Sequence, residues 1–260
     1  MKIELNSKLD IEQLSQQFEK DQKLRIENIL SLESAEYILD NLKNSTAWHI
    51  VHSDEKGLPV RYGGARLDAL TDEDKQKMIA EVHQRAANSY QYYYKFFPII
   101  DAMQSGALPA QSMLHQLGTF LNSASFIGFS RKLTRANKLV KMDPQATLYQ
   151  GGHFLTTHDD SNYQRAVGDM SSRRYAVVFG FTKNWSADWG GQTSFFDSPN
   201  AVQSVSWSPA FNVMTIFKVP VLHRVNYVTP FASRGRYSVT GWLRDDPRIR
   251  REDLGDLPQA

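Results

Sequence analysis

The chain contains no cysteine, which excludes disulfide stapling, thiolate metal sites and a cysteine nucleophile. Any metal must therefore be held by imidazole or carboxylate groups. No hydrophobic run approaches the ~20 residues that a membrane-spanning helix requires. Met1 to Asp10 alternates charged residues with Ile3 and Leu5 instead of forming the apolar segment of a signal peptide. Charge of one sign is missing too. The 30 Lys and Arg against 28 Asp and Glu leave a net +2, too mild to argue for a nucleic-acid partner. These absences predict a cytoplasmic protein, off the membrane and with nucleic acid disfavoured as a partner. What remains is 260 residues, 41% hydrophobic and 22% charged, ordinary for a globular chain and long enough to bury a large core.

The texture changes near residue 145. Before it, helical spacing dominates. Leu9, Ile11, Leu14 and Phe18 recur at i, i+3 and i+4, and Ser34 opens a second helix that faces Tyr37, Ile38 and Leu42 inward. A short strand is expected over Trp48 to Val51. Thr71 before Asp72, Glu73 and Asp74 reads as an N-cap with acids in the first turn. Its helix is expected to run through Met78, Ile79 and Val82 into the aromatic run Tyr90 to Phe97 and to stop at Pro98. A further helix is expected over Ser112 to Ser123. From Thr147 the pattern becomes short strands: Tyr175 to Thr182, a run after Gly190-Gly191, Val202 to Trp207, Asn212 to Val219, Val221 to Val228 and Gly235 to Leu243. Ser208-Pro209, Pro220 and Pro230 punctuate them. The expected class is α+β to mainly β, a double-stranded β-helix (jelly roll) core with N-terminal helices packed on one sheet. We read one domain over 1–260, with helical support and first strands in 1–145, the catalytic core in 146–244 and a charged tail in 245–260.

His158-Asp159-Asp160 ends what reads as a strand, where residues i and i+2 share a face. His158 and Asp160 are thus expected to converge, with His223 joining from a later strand. Two imidazoles and one carboxylate form the facial triad that suits non-haem Fe(II) and leaves positions open for an organic co-substrate and dioxygen. Alternation puts Arg236, Ser238, Thr240 and Trp242 on one face of the last strand. A guanidinium with a hydroxyl beside it, near a metal, is a carboxylate clamp, and Tyr149 offers a phenolic donor to the same group. His153 competes with His158 as a ligand, but five residues along a strand it faces the other side. It is expected to be structural or solvent-facing. His49, His52, His83 and His115 have no carboxylate at ligand spacing. Asp159 is expected to turn away from the metal and bond a neighbouring loop. The Tyr90 to Phe97 run is read as helix packing ahead of a substrate groove. Gly190-Gly191 reads as a tight turn needing positive φ, with Trp185 and Trp189 packed about it.

These residues resemble the Fe(II)/2-oxoglutarate-dependent oxygenases of the prolyl hydroxylase superfamily. The motifs are Tyr149-Gln-Gly-Gly with His158-Asp-Asp, Arg173-Arg174-Tyr-Ala-Val-Val-Phe, Trp185 with Gly190-Gly191-Gln-Thr-Ser-Phe-Phe-Asp197, Trp207-Ser-Pro-Ala-Phe-Asn212, and His223-Arg-Val with Arg236-Tyr-Ser-Val-Thr-Gly-Trp242. The chain is most similar to the branch that hydroxylates proline in a ribosomal protein. The resemblance implies His158, Asp160 and His223 as iron ligands and Arg236 on the distal carboxylate of 2-oxoglutarate, assisted by Ser238 and Tyr149. Trp242 would wall the pocket, and Thr240 would face the co-substrate or a water. It also implies O2 as oxidant, ascorbate as accessory reductant, and a protein or peptide substrate, with a small amino-acid-like molecule as the alternative. A metal-binding sensor on the same fold is the non-enzymatic alternative. Two departures from that branch stand out: Gly180 replaces a tyrosine that would reach 2-oxoglutarate, and the Ser161 to Ser172 loop is long enough to act as a lid.

Overall fold

The computed structural model describes residues 1–161 and 173–245. Most of the Ser161 to Ser172 loop and the tail beyond Asp245 lie outside the described residues.

Seven helices among the described residues come from the first half of the chain. Helix α1 (Ile11–Asp21) starts on Asp10, whose side chain accepts from the Gln13 N–H. Helix α2 (Leu32–Asn44) starts at Ser31. The expected start at Ser34 is one turn late, because the Ser34 hydroxyl bonds Ser31 and the Glu4 N–H instead. Short α3 (Ala65–Asp68) precedes α4 (Asp72–Ala86), whose Thr71 and Asp74 form a reciprocal capping box. Helices α5 (Ile99–Gln104), α6 (Met113–Leu121) and α7 (Ala124–Thr134) come next.

The first half is less helical than its spacing suggests. It also supplies β1 (Lys23–Glu27), β2 (His49–Ser53), β3 (Pro59–Tyr62) and β4 (Tyr92–Phe97). The aromatic run is strand β4 and not the end of α4. Its Tyr and Phe residues favour a pleated surface, and Ala87 to Gln91 separate it from the helix. The second half adds β5 (Lys141–Tyr149), β6 (Phe154–His158), β7 (Arg173–Phe181), β8 (Thr193–Phe196), β9 (Val205–Trp207), β10 (Phe211–Lys218), β11 (Leu222–Val225) and β12 (Arg236–Arg244).

The strands pair in the order β1-β10-β7-β12-β5-β4-β6-β11-β8-β9, all antiparallel. Strand β4 is the fold line: Lys95 to Phe97 pair with β5, while Tyr92 and Tyr93 pair with β6. The sheet curls there, so β1-β10-β7-β12-β5 faces β6-β11-β8-β9 as a jelly roll. Alternation divides the larger face. Tyr175, Val177, Phe179 and Phe181 of β7, with Met214 and Ile216 of β10, pack outward under Ala35, Ile38, Leu39 and Leu42 of α2 and under α6 and α7. The intervening residues point into the barrel.

One side chain ties the N-terminal segment to this sheet. Asn212 sits at φ 55 beside a register shift in β10. Its Oδ1 accepts from the buried Leu30 N–H (3.0 Å) and its Nδ2 donates to the Leu30 carbonyl (2.9 Å). Asn212→Ala strands both backbone groups and places a Cβ residue without local polar support at positive φ. We expect it to cost about 2–4 kcal/mol in urea unfolding. A loss below about 1 kcal/mol would show that Leu30 finds other partners.

Candidate active site

Register across β12 and β5 sets the floor of the barrel: Arg236 lies opposite Tyr149, Ser238 opposite Thr147, Thr240 opposite Gln145 and Trp242 opposite Asp143. These are the inward positions that alternation assigns. The hydroxyls of Thr147 and Ser238 lie 2.8 Å apart, and Thr240 Oγ1 accepts from Gln145 Nε2 at 3.5 Å.

His158, Asp160 and His223 come together as expected. One ligand atom from each lies within 4.8 Å of the others. His158 Nε2 is 3.4 Å from Asp160 Oδ1, and His223 Nε2 is 3.6 Å from Asp160 Oδ2. The route to convergence differs from the expected one. Strand β6 ends at His158, and Asp160 returns to the site through a left-handed backbone, φ 61, not by strand alternation. Both imidazole Nδ1 atoms lie 2.9 Å from a backbone carbonyl, of Thr156 for His158 and of Val221 for His223. A carbonyl only accepts, so each Nδ1 carries hydrogen and Nε2 is the ring atom turned toward Asp160, the atom that offers a lone pair whenever the ring is neutral. Two nitrogen lone pairs and a carboxylate aimed at one point fit a divalent cation with His and carboxylate preference.

The electrostatics agree. Burial works against ionising Asp160, but His223 and His158 outweigh it and hold the carboxyl far below the usual range. The Trp242 N–H, buried and just outside hydrogen-bond geometry, adds to this. Burial would lower His158 as well, yet its bond to Asp160 raises it overall, while burial and the His158 charge push His223 down to about 4. Phe217 packs edge-on against the His223 ring at 4.7 Å.

Arg236 is buried, its guanidinium 5.0 Å over the Tyr149 ring and donating to Thr193 Oγ1 at 3.0 Å. Among the described residues no carboxylate pairs with it. A buried cation held by one hydroxyl and one ring face is suited to an anionic ligand, so the donor set fits a dicarboxylate co-substrate. Gly191 (φ 69) supplies the left-handed turn beside Arg236: a Cβ there would crowd Trp185 at 3.1 Å and Val228 at 3.2 Å, while Arg236 Cδ at 3.6 Å is at ordinary contact distance. Gly180 has a different cause. A Cβ there would meet the Ala210 carbonyl at 2.5 Å, so no tyrosine fits on this backbone.

Thr193 and Thr147 were not singled out from sequence. Thr193 was findable, two residues after the Gly190-Gly191 turn. The tyrosines of the aromatic run reach the site from β4 and the residues before it: Tyr94 stacks on Tyr149 at 4.8 Å, Tyr92 lies tilted against Tyr94 at 5.8 Å, and half-exposed Tyr90 lies 5.5 Å from the His158 ring. Asp159 turns away and accepts from Ser161, as expected. Trp185 and Trp189 pack against each other beside the glycine turn. His153 is structural: it is buried, accepts from the Gln150 N–H at 3.1 Å and meets Tyr93 edge-on. It does not face solvent.

Residues 144–244 match the 2OG-Fe(II) oxygenase superfamily. No curated protein matches the sequence. Among solved structures, a prolyl hydroxylase from Trichoplax adhaerens in complex with a hypoxia inducible factor peptide is similar over 95% of this chain and 94% of its own, with 16% identity and a TM-score of 0.57. A 2OG-Fe(II) oxygenase family oxidoreductase from Burkholderia pseudomallei is similar over 95% and 96%, with 10% identity and a TM-score of 0.57. A Pseudomonas putida prolyl-4-hydroxylase is similar over 94% and 98%, with 16% identity and a TM-score of 0.50. At these identities the structures speak to the fold, which is the jelly roll. No helix among the described residues is long and apolar enough to cross a membrane.

The pH dependence of stability has a testable source in His153. Burial lowers its pKa to about 4, below the ordinary 6.5. The folded state therefore prefers the neutral ring, and stability present above pH 6.5 is lost as pH falls toward 4, by roughly 3 kcal/mol. His49 and His52 are lowered too and act with the same sign. His153→Asn keeps an acceptor for Gln150 and should flatten this acid limb in urea titrations at pH 7, 5.5 and 4.5. An unchanged slope would move the effect to other groups.

Proposed function

We propose that this chain is an Fe(II)- and 2-oxoglutarate-dependent dioxygenase that hydroxylates an unactivated C–H bond of a prolyl residue in a protein of the translation machinery, a reading supported by the match of residues 144–244 to the 2OG-Fe(II) oxygenase superfamily. The observation that carries the chemistry is the pairing, in one barrel, of the His158, Asp160 and His223 donors with a buried guanidinium, Arg236, that lacks a carboxylate among the described residues. The prolyl substrate is supported by the likeness of the motifs to the ribosomal-protein branch and by the fold shared with prolyl hydroxylases, one of which was solved with a peptide.

In this reading His158 Nε2, His223 Nε2 and the Asp160 carboxylate would hold Fe(II). Arg236, with Thr193 beside it and Tyr149 beneath it, receives the distal carboxylate of 2-oxoglutarate. Ser238 adds a hydroxyl, and Thr240 and Trp242 complete the wall. Bound Fe(II) and 2-oxoglutarate supply the oxidation, in which O2, 2-oxoglutarate and the C–H substrate become succinate, carbon dioxide and the hydroxylated product. The chain contributes placement and dryness. Carbonyl-held imidazoles keep the ligand tautomer, the aromatic wall of Tyr94, Tyr149, Phe195 and Phe217 would help exclude water, and Arg236 would fix one end of the co-substrate. Tyr90 is the exposed edge of this wall and faces incoming substrate.

A free amino acid is the second reading. The Arg173 guanidinium lies 3.6 Å over the Trp242 ring, with the Asp160 carbonyl 3.5 Å away, which places a cation where a small carboxylate-bearing substrate would be closed in.

Succinate formed from 2-oxoglutarate by the purified protein with Fe(II), ascorbate and oxygen tests both readings, with proline-containing peptides and free amino acids as separate additions. Stimulation by peptide supports the first, and stimulation by free amino acids alone the second. His158→Ala and Asp160→Ala should abolish turnover, and normal turnover in either would remove the triad assignment. Arg236→Ala should raise the 2-oxoglutarate KM by roughly 10²–10³-fold, the loss of one partner of a buried charged pair. An unchanged KM would place the clamp elsewhere.

A further inference from the structure

Strict alternation from Leu155 would turn Thr157 into the barrel and His158 out of it. In β6 both Leu155 and His158 face inward. His223 pairs with His158 and Val225 pairs with Leu155, so Thr156 and Thr157 together oppose the single Arg224. This is a β-bulge, one extra residue that re-aims the side chains beyond it.

The other edge of β6 pairs with β4, and Gln91, just before that strand, continues the register of Tyr92 with Leu155 by lying opposite Thr156. The Thr156 N–H donates to the Gln91 carbonyl at 2.9 Å. The Gln91 N–H donates to Thr156 Oγ1, and that hydroxyl donates back to the Gln91 carbonyl, both at 2.9 Å. Gln91 is itself immobilised. Its side chain is fully buried, with Oε1 accepting from the Ser53 N–H (2.9 Å), the Ser53 hydroxyl (2.8 Å) and the Tyr92 N–H (2.8 Å), and Nε2 donating to the Ser53 carbonyl (3.0 Å). The Thr156 carbonyl held by this network is the one that accepts from His158 Nδ1 at 2.9 Å.

We propose that Thr156 and Gln91 are positioning residues for the metal centre. The threonine hydroxyl, closed against the Gln91 backbone, pins the bulge that turns His158 inward and fixes the carbonyl that sets its ring and tautomer. Partners of this kind commonly govern metal affinity by 10–100-fold. Thr156→Val keeps the β-branched shape and removes only the hydroxyl, leaving the Gln91 N–H without its acceptor. This inference rests on His158 being a metal ligand, so the test separates the two.

The experiment is Co(II) titration of the metal-free protein, monitored by visible absorbance without co-substrate, on wild type, Thr156→Val, Thr156→Ser and His158→Ala. Urea unfolding of each in chelator accompanies it. Thr156→Val should weaken Co(II) binding about 10–100-fold and alter the Co(II) band shape, while Thr156→Ser, which restores the hydroxyl, should return both toward wild type. Wild-type affinity in Thr156→Val alongside lost binding in His158→Ala overturns the positioning role and leaves the triad standing. Retained binding in His158→Ala overturns the triad reading itself. Where Thr156→Val does not fold, Ser53→Ala makes the same comparison from the far end of the network: weaker Co(II) binding supports the role and wild-type affinity overturns it.

Discussion

A guanidinium buried without a carboxylate is a strong constraint, and much of the barrel interior is arranged around Arg236. Desolvation lowers its pKa, and the phenol of Tyr149 gives back only part of what water supplied. The neighbourhood reflects this. Thr193 receives one guanidinium hydrogen, and Tyr94 stacks behind Tyr149 to hold the ring that Arg236 covers. Burial raises both tyrosines well above their ordinary pKa, so they remain neutral and donate hydrogen. A cation, hydroxyls and neutral phenols form a surface with hydrogens to offer and no negative charge, the complement of a carboxylate.

The metal side is built on the opposite principle. Asp160, His158 and His223 offer lone pairs, and the charge that would satisfy Asp160 is split between two imidazoles that cannot both ionise beside each other. Each half of the barrel thus leaves a demand that the other does not fill. Polarity along the cavity runs from acceptor-rich at the β6 and β11 end to donor-rich at the β12 and β5 end. A chelating dicarboxylate and a divalent cation satisfy both at once.

Much of this was legible before the structure. His158, Asp160, His223 and Arg236 carry their chemistry in residue type and spacing, and alternation on β12 correctly put Arg236, Ser238, Thr240 and Trp242 on one face. The strand series after Thr147 and the capping of α4 at Thr71 were readable for the same local reasons. The misreadings came where local signals ran together. Tyr90 to Phe97 comes after an amphipathic helix with only Ala87 to Ser89 between, so a period of two was absorbed into a period of 3.6. Strand β1 is five residues rich in charge, stabilised by pairing with β10 rather than by its own pattern.

The metal site shows a deeper limit. The i, i+2 spacing predicts that His158 and Asp160 converge, and they do, but by another route. A bulge at Thr156 and Thr157 reverses the alternation before His158, and a left-handed residue at Asp160 reverses direction after it. Neither device has a sequence signature of its own: Thr-Thr is a good strand pair, and Asp at positive φ is set by its surroundings. Both lean on partners distant in sequence, Gln91 and Ser53 for the bulge and His223 for the carboxylate. Residue type is therefore local information, whereas the aim of each side chain is a property of the assembled sheet, which the motif alone does not supply.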